Sequence, residues 1–467
     1  MSRGRLAVHA HFYQPLRLDP WTCRVPTEPS AAPFHDWNQR VAAECYRPNA
    51  ERGNLRRISW NLGPTLASWM DAEDPATYRR FIADSAPAIA QSYHHAILPL
   101  ASAADRRTEI AWGIRDFELR FGRRPAGLWL PETAVDLATL REAVRQGIDY
   151  TILAPWQAAE PAIDTRRPYR VDLGGDEGIV AFFYDAGLSA SVSFEPEATF
   201  DADRFARERV VPRLRGGPAP VDAPLAVLAT DGELYGHHQQ FRDLFLQRLL
   251  VPDPNAADRG FDIVTLDALV AEASNDGLAA IHIVDRTSWS CQHGVARWSG
   301  ECPDAADGRW KGALRAAFER LAGAIDVVTA AAFAELPGDV DADAARDAYV
   351  EVVSGHVPPA TFTADRWPGA DDAARGRALD LLEAQRWRLA MFASDGWYWD
   401  DPIRSETRQV LRAAARAVRL VDTTAGTRLE RRLVDDLATF VSPSRGLDGA
   451  GIYRMALADV DQPPPAA

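Results

Sequence analysis

The run Leu225-Ala-Val-Leu-Ala-Thr230, followed directly by Asp231-Gly-Glu233-Leu-Tyr-Gly236-His237-His238, decides how the chain is read. Five apolar residues and a threonine, between Pro224 and the Asp231-Gly232 junction, fit a buried strand, as in a parallel sheet. Two carboxylates, two imidazoles and two glycines at its end are a costly set to place where the strand stops. Strand alternation, if it continued, would turn Asp231 and Glu233 to the same side.

Outward from this segment the same unit recurs. Leu6–His11, Ala126–Leu130, Tyr150–Leu153, Ile179–Tyr184, Phe261–Leu266 and Ile281–Val284 are short apolar runs that end in polar junctions. After Pro131-Glu132, a helix is expected with Leu137, Leu140 and Val144 on one face and Gly147 as its stop. Strands alternating with helices imply an α/β fold with a parallel sheet, and this many units imply closure toward a barrel. The polar residues lie just after the strands: His9 and His11 on the first, Glu132 behind Trp129, Asp231 behind Thr230, Ser288 and Trp289 after Ile281. Active sites of parallel barrels are built at those carboxyl ends.

Past residue 305 the chain turns alanine-rich and helical. Leu314, Ala317, Phe318, Leu321 and Ile325 mark one amphipathic helix, and Thr407, Val410, Leu411, Ala414, Ala417, Val418 and Val421 another. Gly338–Asp372, rich in Asp, Pro and Gly, reads as long connections. The expected division is a catalytic barrel over 1–305, a helical domain over 306–461 packing against the barrel mouth, and a flexible tail over 462–467 with its three prolines.

Of the 467 residues, 47% are hydrophobic and 25% charged, which is globular composition. A net charge of -14 repels phosphate backbones and anionic lipid, so nucleic acid and membranes are excluded as expected partners. Lys311 is the only lysine; arginine carries the remaining positive charge, which reads as a coding bias. The start of the chain lacks the apolar core of a secretory signal, and no apolar stretch is long enough to span a bilayer. The cytoplasm is the expected location. Cys23, Cys45, Cys291 and Cys302 are too scattered for a disulfide framework. Cys291 and Cys302 with His293 match no common structural zinc spacing.

Two carboxylates on separate strand ends, Glu132 and Asp231, converge naturally in a barrel mouth. Glycoside cleavage needs such a pair, one to protonate the leaving oxygen and one to attack the anomeric carbon. At strand spacing His9 and His11 share a face, suited either to a metal or to sugar hydroxyls. Gly396-Trp397-Tyr-Trp399-Asp400-Asp401 offers aromatic surface for stacking on sugars or for welding helices together. No nucleotide-binding glycine motif and no serine-nucleophile elbow is present.

Taken in order, His9-Ala-His11-Phe-Tyr-Gln14-Pro15, Gln91-Ser-Tyr-His94-His95, Trp129-Leu-Pro-Glu132, Thr230-Asp231-Gly-Glu233-Leu-Tyr-Gly236-His237-His238 and Ser288-Trp289 resemble glycoside hydrolase family 57. That resemblance implies an incomplete (β/α)7-type parallel barrel followed by a helical C-terminal domain. It also implies retaining chemistry on α-glucans or malto-oligosaccharides, of amylase, 4-α-glucanotransferase or branching type, without cofactor or metal. Glu132 would be the nucleophile and Asp231 the general acid/base, with His11 and His237 lining the sugar subsite. His9, Gln14, His95, Trp129, Glu233, His238, Trp289, His293, Trp397 and Asp400 are the further substrate-binding candidates. Phe12 and Tyr13 stand between His11 and Gln14 where the family usually has His directly before Gln-Pro. This resembles a less-studied subfamily with an added domain of unknown function. A pKa raised at Asp231 by the neighbouring Glu233 is expected. The rival readings are a metal-dependent polysaccharide deacetylase, with His9 or His11 on zinc, and a non-catalytic glucan-binding protein on the same fold. Oligomeric state is not readable.

Overall fold

The first strand, β1 (Gly4–Phe12), carries nearly all of its residues buried, and it is the hub of the sheet. In the computed structural model its His9–Phe12 half pairs in parallel with β2 (Ser59–Leu62). The Gly4–Ala7 half of the same edge pairs with β9 (Phe261–Val264), and the opposite edge pairs with β8 (Leu225–Asp231) over seven register positions. From β2 the sheet runs through β3 (Ala88–Gln91), β4 (Gly127–Trp129), β5 (Tyr150–Leu153) and β7 (Glu177–Phe183), every neighbour parallel. An antiparallel β6 (Tyr169–Gly174) and a short β10 (Ala280–Ile281) extend it beyond β7. The residues described are 3–175, 177–217, 220–255, 258–272, 277–304, 307–338 and 341–458; the expected tail over 462–467 lies outside them.

The sheet curls. Val180, Phe182 and Tyr184 from β7 and its end share one buried cluster with Leu225, Val227 and Ala229 of β8, at the far side of the sheet order. No ladder joins the two strands among the described residues; the Asp185 N–H donates to the Val227 carbonyl at 2.7 Å across the seam. The result is the incomplete parallel barrel expected, with seven strands around an apolar interior of Ile89, Trp129, Tyr150 and Ile152. Interior packing of this kind makes the barrel a solid core and leaves chemistry to the loops at its carboxyl end.

Most strands fall within a residue or two of expectation. The run at Ile281 is the exception: regular pairing covers only Ala280–Ile281, and Ile283 makes a single bridge to Ala158. The helix after Glu132 is Leu137–Arg145, capped by Asp136 accepting from the Thr139 N–H, and it ends before Gly147 in the left-handed region.

Contacts divide the chain into two compact units. One comprises Met1–Gln14, Glu28–Ser92 and Arg120–Ser290 and holds the whole sheet. The other comprises Pro15–Thr27, Tyr93–Leu119 and Cys291–Ala467 and is helical. In the latter, Arg309–Ala334 and Ser405–Ala425 bury the apolar stripes read from the sequence, including Leu314, Phe318, Val410 and Val418, and a further helix, Asp372–Ala390, buries Leu382. Gly338–Asp372 is not a run of long connections. It contains helices Ala342–Ala348, Val350–Val353 and Pro359–Arg366, whose Tyr349, Val350 and Phe362 are buried. Its Asp and Pro residues act as helix starts, with Asp341 and Pro358 at N-caps, which is why the composition misled. Among the described residues, no helix is long and apolar enough to cross a membrane.

Candidate active site

The floor of the barrel's carboxyl end is a buried polar row. Strand register sets His11 beside Asn61 on one side and Asp231 on the other. Asn61 receives His9 Nε2 at 3.1 Å on its Oδ1, while its Nδ2 meets His11 Nδ1 at 2.9 Å and donates to Gln91 Oε1 at 2.8 Å. Because Gln91 Oε1 can only accept, the Asn61 amide orientation follows, and with it the tautomers. His9 donates through Nε2; His11 accepts at Nδ1 and keeps its proton on Nε2. Burial pushes both imidazoles down to about 3, with the His11 charge adding to the effect on His9, so both are neutral donors throughout the working pH range. Both rings stack on Trp129, at 4.7 and 5.0 Å between centroids.

His9 and Trp129 are wholly buried. They were candidates for substrate contact, but a side chain without exposed surface supports the site from beneath. Asn61, on a strand the sequence did not reveal, is the residue that orders this floor.

Glu132 follows β4 on an uncommon backbone. It has φ 57° and ψ 20°, and Thr133 also has positive φ, at 46°. The left-handed conformation costs about 1–2 kcal/mol per L-residue, and for a β-branched threonine it is an outlier that surroundings must enforce. Here Thr133 N–H donates to Leu130 O at 2.7 Å and Ala134 N–H to Pro131 O at 2.9 Å, which tightens the turn. Gln157, fully buried, uses its whole amide. Its Oε1 accepts from Ala154 N–H (2.8 Å) and Thr133 Oγ1 (3.0 Å), and its Nε2 donates to Thr133 O (2.8 Å) and Thr287 Oγ1 (3.3 Å). The Glu132 carboxylate then receives Trp289 Nε1 at 3.1 Å and Ser290 Oγ at 2.6 Å on Oε2. The Trp289 N–H also donates to the Glu132 carbonyl at 3.0 Å. Trp289 packs edge-on against Trp129, centroids 5.0 Å apart, which links the carboxylate to the histidine floor.

Asp231 closes β8 beside His11. It keeps solvent access while protein crowds it on its other sides, and the lost hydration pushes its carboxyl up to about 6. Glu233 is a different case. The strand ends at Asp231, so the alternation expected to turn both acids one way does not apply. A turn over Gly232–Leu234 instead buries Glu233, whose Oε1 accepts from Tyr46 Oη at 2.5 Å and from the Tyr13 N–H at 3.3 Å. Burial first, then the Asp231 charge, push Glu233 up to about 8. The like-charge effect therefore falls on Glu233, whereas the shift of Asp231 comes from dehydration alone; the expected direction of that coupling is corrected. Gln14 hydrogen-bonds the same Tyr46 side chain.

The turn after Glu233 sits on backbone. A Cβ on Gly236, at φ +149°, would lie 2.3 Å from the Glu44 carbonyl oxygen, so glycine is required there. This seats His237 with Nδ1 at 2.5 Å from Glu44 Oε2 and edge-on to Trp37, and leaves His238 exposed. Trp156, not foreseen, is 48% exposed, with its indole N–H fixed on the Ser288 carbonyl at 2.9 Å. A pinned aromatic with a free face has the form of a sugar platform.

The remaining candidates lie in the helical unit. His95, at positive φ, places Nδ1 2.7 Å from Ser394 Oγ. Asp400 is exposed and its carbonyl accepts from Trp310 Nε1 at 3.1 Å. His293 lies with Cys291, Cys302 and Asp304. Trp397 is fully buried, donates to the Lys311 carbonyl at 3.2 Å and packs against Phe318 and Phe392. A ring without an exposed face does not stack on sugar, so Trp397 is corrected to a packing residue, and its neighbour Trp399 is the exposed one.

An open parallel barrel with a carboxylate at the ends of two strands, over a floor of neutral histidines, is the form of a carbohydrate-active barrel enzyme. Residues 86–281 match the family model described as Glycosyl hydrolase family 57. Residues 307–460 match a domain of unknown function. No curated protein sequence matches the chain. Among solved structures, it is similar to an exo-type maltose-forming amylase from Pyrococcus sp. ST04. The TM-score is 0.75 at 15% identity, covering 93% of this chain and 82% of that one. A family 57 branching enzyme from Thermococcus kodakaraensis gives 0.61 at 16% identity, covering 98% and 94%. The branching enzyme of Pyrococcus horikoshii gives 0.59 at 17%, covering 97% and 94%. Likeness at these identities is likeness of fold.

Proposed function

We propose that this protein is a retaining glycoside hydrolase or transglycosylase acting on α-glucans, with Glu132 as nucleophile and Asp231 as general acid/base. The observation that carries the reading is the contrast between the two carboxyl groups. Glu132 is aimed by two donors on one oxygen and by a constrained backbone, as a nucleophile needs. Asp231 has its pKa lifted to about 6, within reach of neutrality, as a proton donor needs.

In the first step Glu132 attacks C1 of the bound glucosyl unit while Asp231 gives its proton to the departing glycosidic oxygen. The resulting ester is broken when the Asp231 carboxylate takes a proton from water, or from the hydroxyl of a second sugar, as that oxygen attacks C1. His11 offers its Nε2–H as a neutral donor to a sugar hydroxyl, and Trp156 offers a stacking face.

The test is product analysis on a malto-oligosaccharide, amylose and glycogen with wild type, Glu132→Gln and Asp231→Asn. Wild type should give shorter, longer or branched products, and Glu132→Gln none. Asp231→Asn should lose about 10²–10⁴-fold on glucans but much less on aryl glucosides, whose leaving groups need no proton. Equal loss on both substrates would remove Asp231 from the acid role. Inert wild type on all three glucans would sink the substrate assignment.

A further inference from the structure

We propose that Cys291, His293, Cys302 and Asp304 form a structural zinc site, a function separate from the carboxylate chemistry. Their side-chain donor atoms lie within 4.8 Å of one another. Cys291 Sγ and Cys302 Sγ are 3.4 Å apart, Cys302 Sγ and His293 Nδ1 3.6 Å, and His293 Nδ1 and Asp304 Oδ2 3.2 Å. Around a tetrahedral zinc with ordinary bond lengths, these edges would be about 3.8 Å for S–S, about 3.6 Å for S–N and about 3.3 Å for N–O. Three of the six edges are thus close to those of a zinc tetrahedron before any ion enters it.

The ligand order explains why the sequence alone did not show it. The donors come as two short pairs, Cys291-x-His293 and Cys302-x-Asp304, with one carboxylate in place of the fourth Cys or His. Neither pair has the two-to-four-residue gap of the common zinc fingers. Gly294, at φ +75°, and its N–H bond to the Cys291 carbonyl make the turn that brings the first pair round.

Two other uses of the cluster fit less well. A disulfide needs only the two sulfurs, and these stand at non-bonded distance. A dithiol switch gives no reason for an imidazole and a carboxylate to converge on the same point.

An independent observation comes from Lys311. It is fully buried, and its Nζ has no hydrogen-bond partner among the described residues. Burial first, then the Arg297 charge, push its pKa down to about 8, while Cys302, Asp400 and Cys291 act in the opposite direction. A lone buried ammonium is expensive unless a negative group faces it. Zinc held by two thiolates, one carboxylate and a neutral imidazole carries a net charge of about -1, which an adjacent ammonium balances. Four protein ligands leave no open position, so the ion would hold the segment ahead of the Arg309–Ala334 helix rather than take part in a reaction. Binding releases the two thiol protons to solvent.

The full chain, purified under reducing conditions, should carry about one zinc per molecule by elemental analysis. After zinc is stripped, titration with Co²⁺ should produce a thiolate-to-cobalt charge-transfer band and the visible bands of a tetrahedral ion. Added Zn²⁺ should then bleach both. Cys302→Ser and Asp304→Asn should each weaken zinc by about a hundredfold. The cobalt titration needs no variant, so a poorly folding mutant does not decide the matter. Cobalt binding without a thiolate band, no binding at all, equal zinc affinity in Cys302→Ser, or a Cys291–Cys302 disulfide persisting in the presence of zinc would each overturn the assignment.

Discussion

Gln157 holds Thr133 by both ends of its amide, accepting from the hydroxyl at 3.0 Å and donating to the carbonyl at 2.8 Å. Thr133 is the second of two consecutive left-handed residues, and the first is Glu132. A fully buried glutamine thus fixes the backbone that carries the carboxylate proposed as nucleophile.

Gln157→Leu keeps the volume and deletes all four hydrogen bonds. The orphaned buried groups should cost about 1–3 kcal/mol, visible as a lower Tm. If the clamp positions Glu132, kcat should fall roughly 10–100-fold with KM little changed, since a displacement near 1 Å at a reacting group has that effect. A variant with lowered Tm but unaltered kcat would reduce Gln157 to a structural part.

Glu233 gives a signed dependence on pH. Its pKa rises from 4.5 unfolded to about 8 folded, so between these values the folded chain holds a proton that the unfolded chain has lost. Its contribution to stability is fully present below about pH 4.5 and is lost as pH rises toward 8. Glu233→Gln should abolish that loss, raising Tm at pH 8 relative to wild type more than at pH 5. Because dehydration and not Glu233 shifts Asp231, the alkaline limb of the rate profile should stay near pH 6 in the variant. A limb that moved down would restore the like-charge coupling.

His9 and His11 work in the opposite direction. Their folded pKa values of about 3 lie below the ordinary 6.5, so they contribute stability above pH 6.5 that is lost as pH falls toward 3. Nitrogen-15 spectra should show both rings neutral at pH 5, each protonated on Nε2. A charged imidazole at that pH, or an Nδ1–H tautomer at His11, would refute the Asn61 arrangement.

Much of the scaffold was legible because parallel strands buried on both faces announce themselves as apolar runs. Three strands escaped, the antiparallel β6 and the parallel β2 and β3, the last two for different reasons. Ser59-Trp-Asn-Leu62 interrupts its run with the very asparagine that orders the histidines, and Ala88-Ile-Ala-Gln91 is short and half alanine, a poor strand former. Glu132 and Asp231 stood out because strand ends are where side chains meet in barrels. Gln157 and Ser290 did not, since nothing local distinguishes them. Their partners at residues 132, 133, 154 and 287 are brought together only by the fold. The same holds for Asp304, whose meaning depends on a loop that returns it to Cys291.

The shared edges of β1 also bear on how the protein is made. Its His11 lies opposite Asp231, and its Gly4–Ala7 half opposite β9, so these partners are translated about 220 or more residues after it. At about 5–20 residues per second, the ribosome leaves one edge and half of the other unpaired for roughly 10–50 s. During this interval an apolar strand waits with open hydrogen-bonding groups, a state prone to mispairing with other nascent chains. Asp231 reaches His11 only when β8 docks. A polypeptide released before that point would therefore lack one of the two carboxyl groups proposed to carry the reaction.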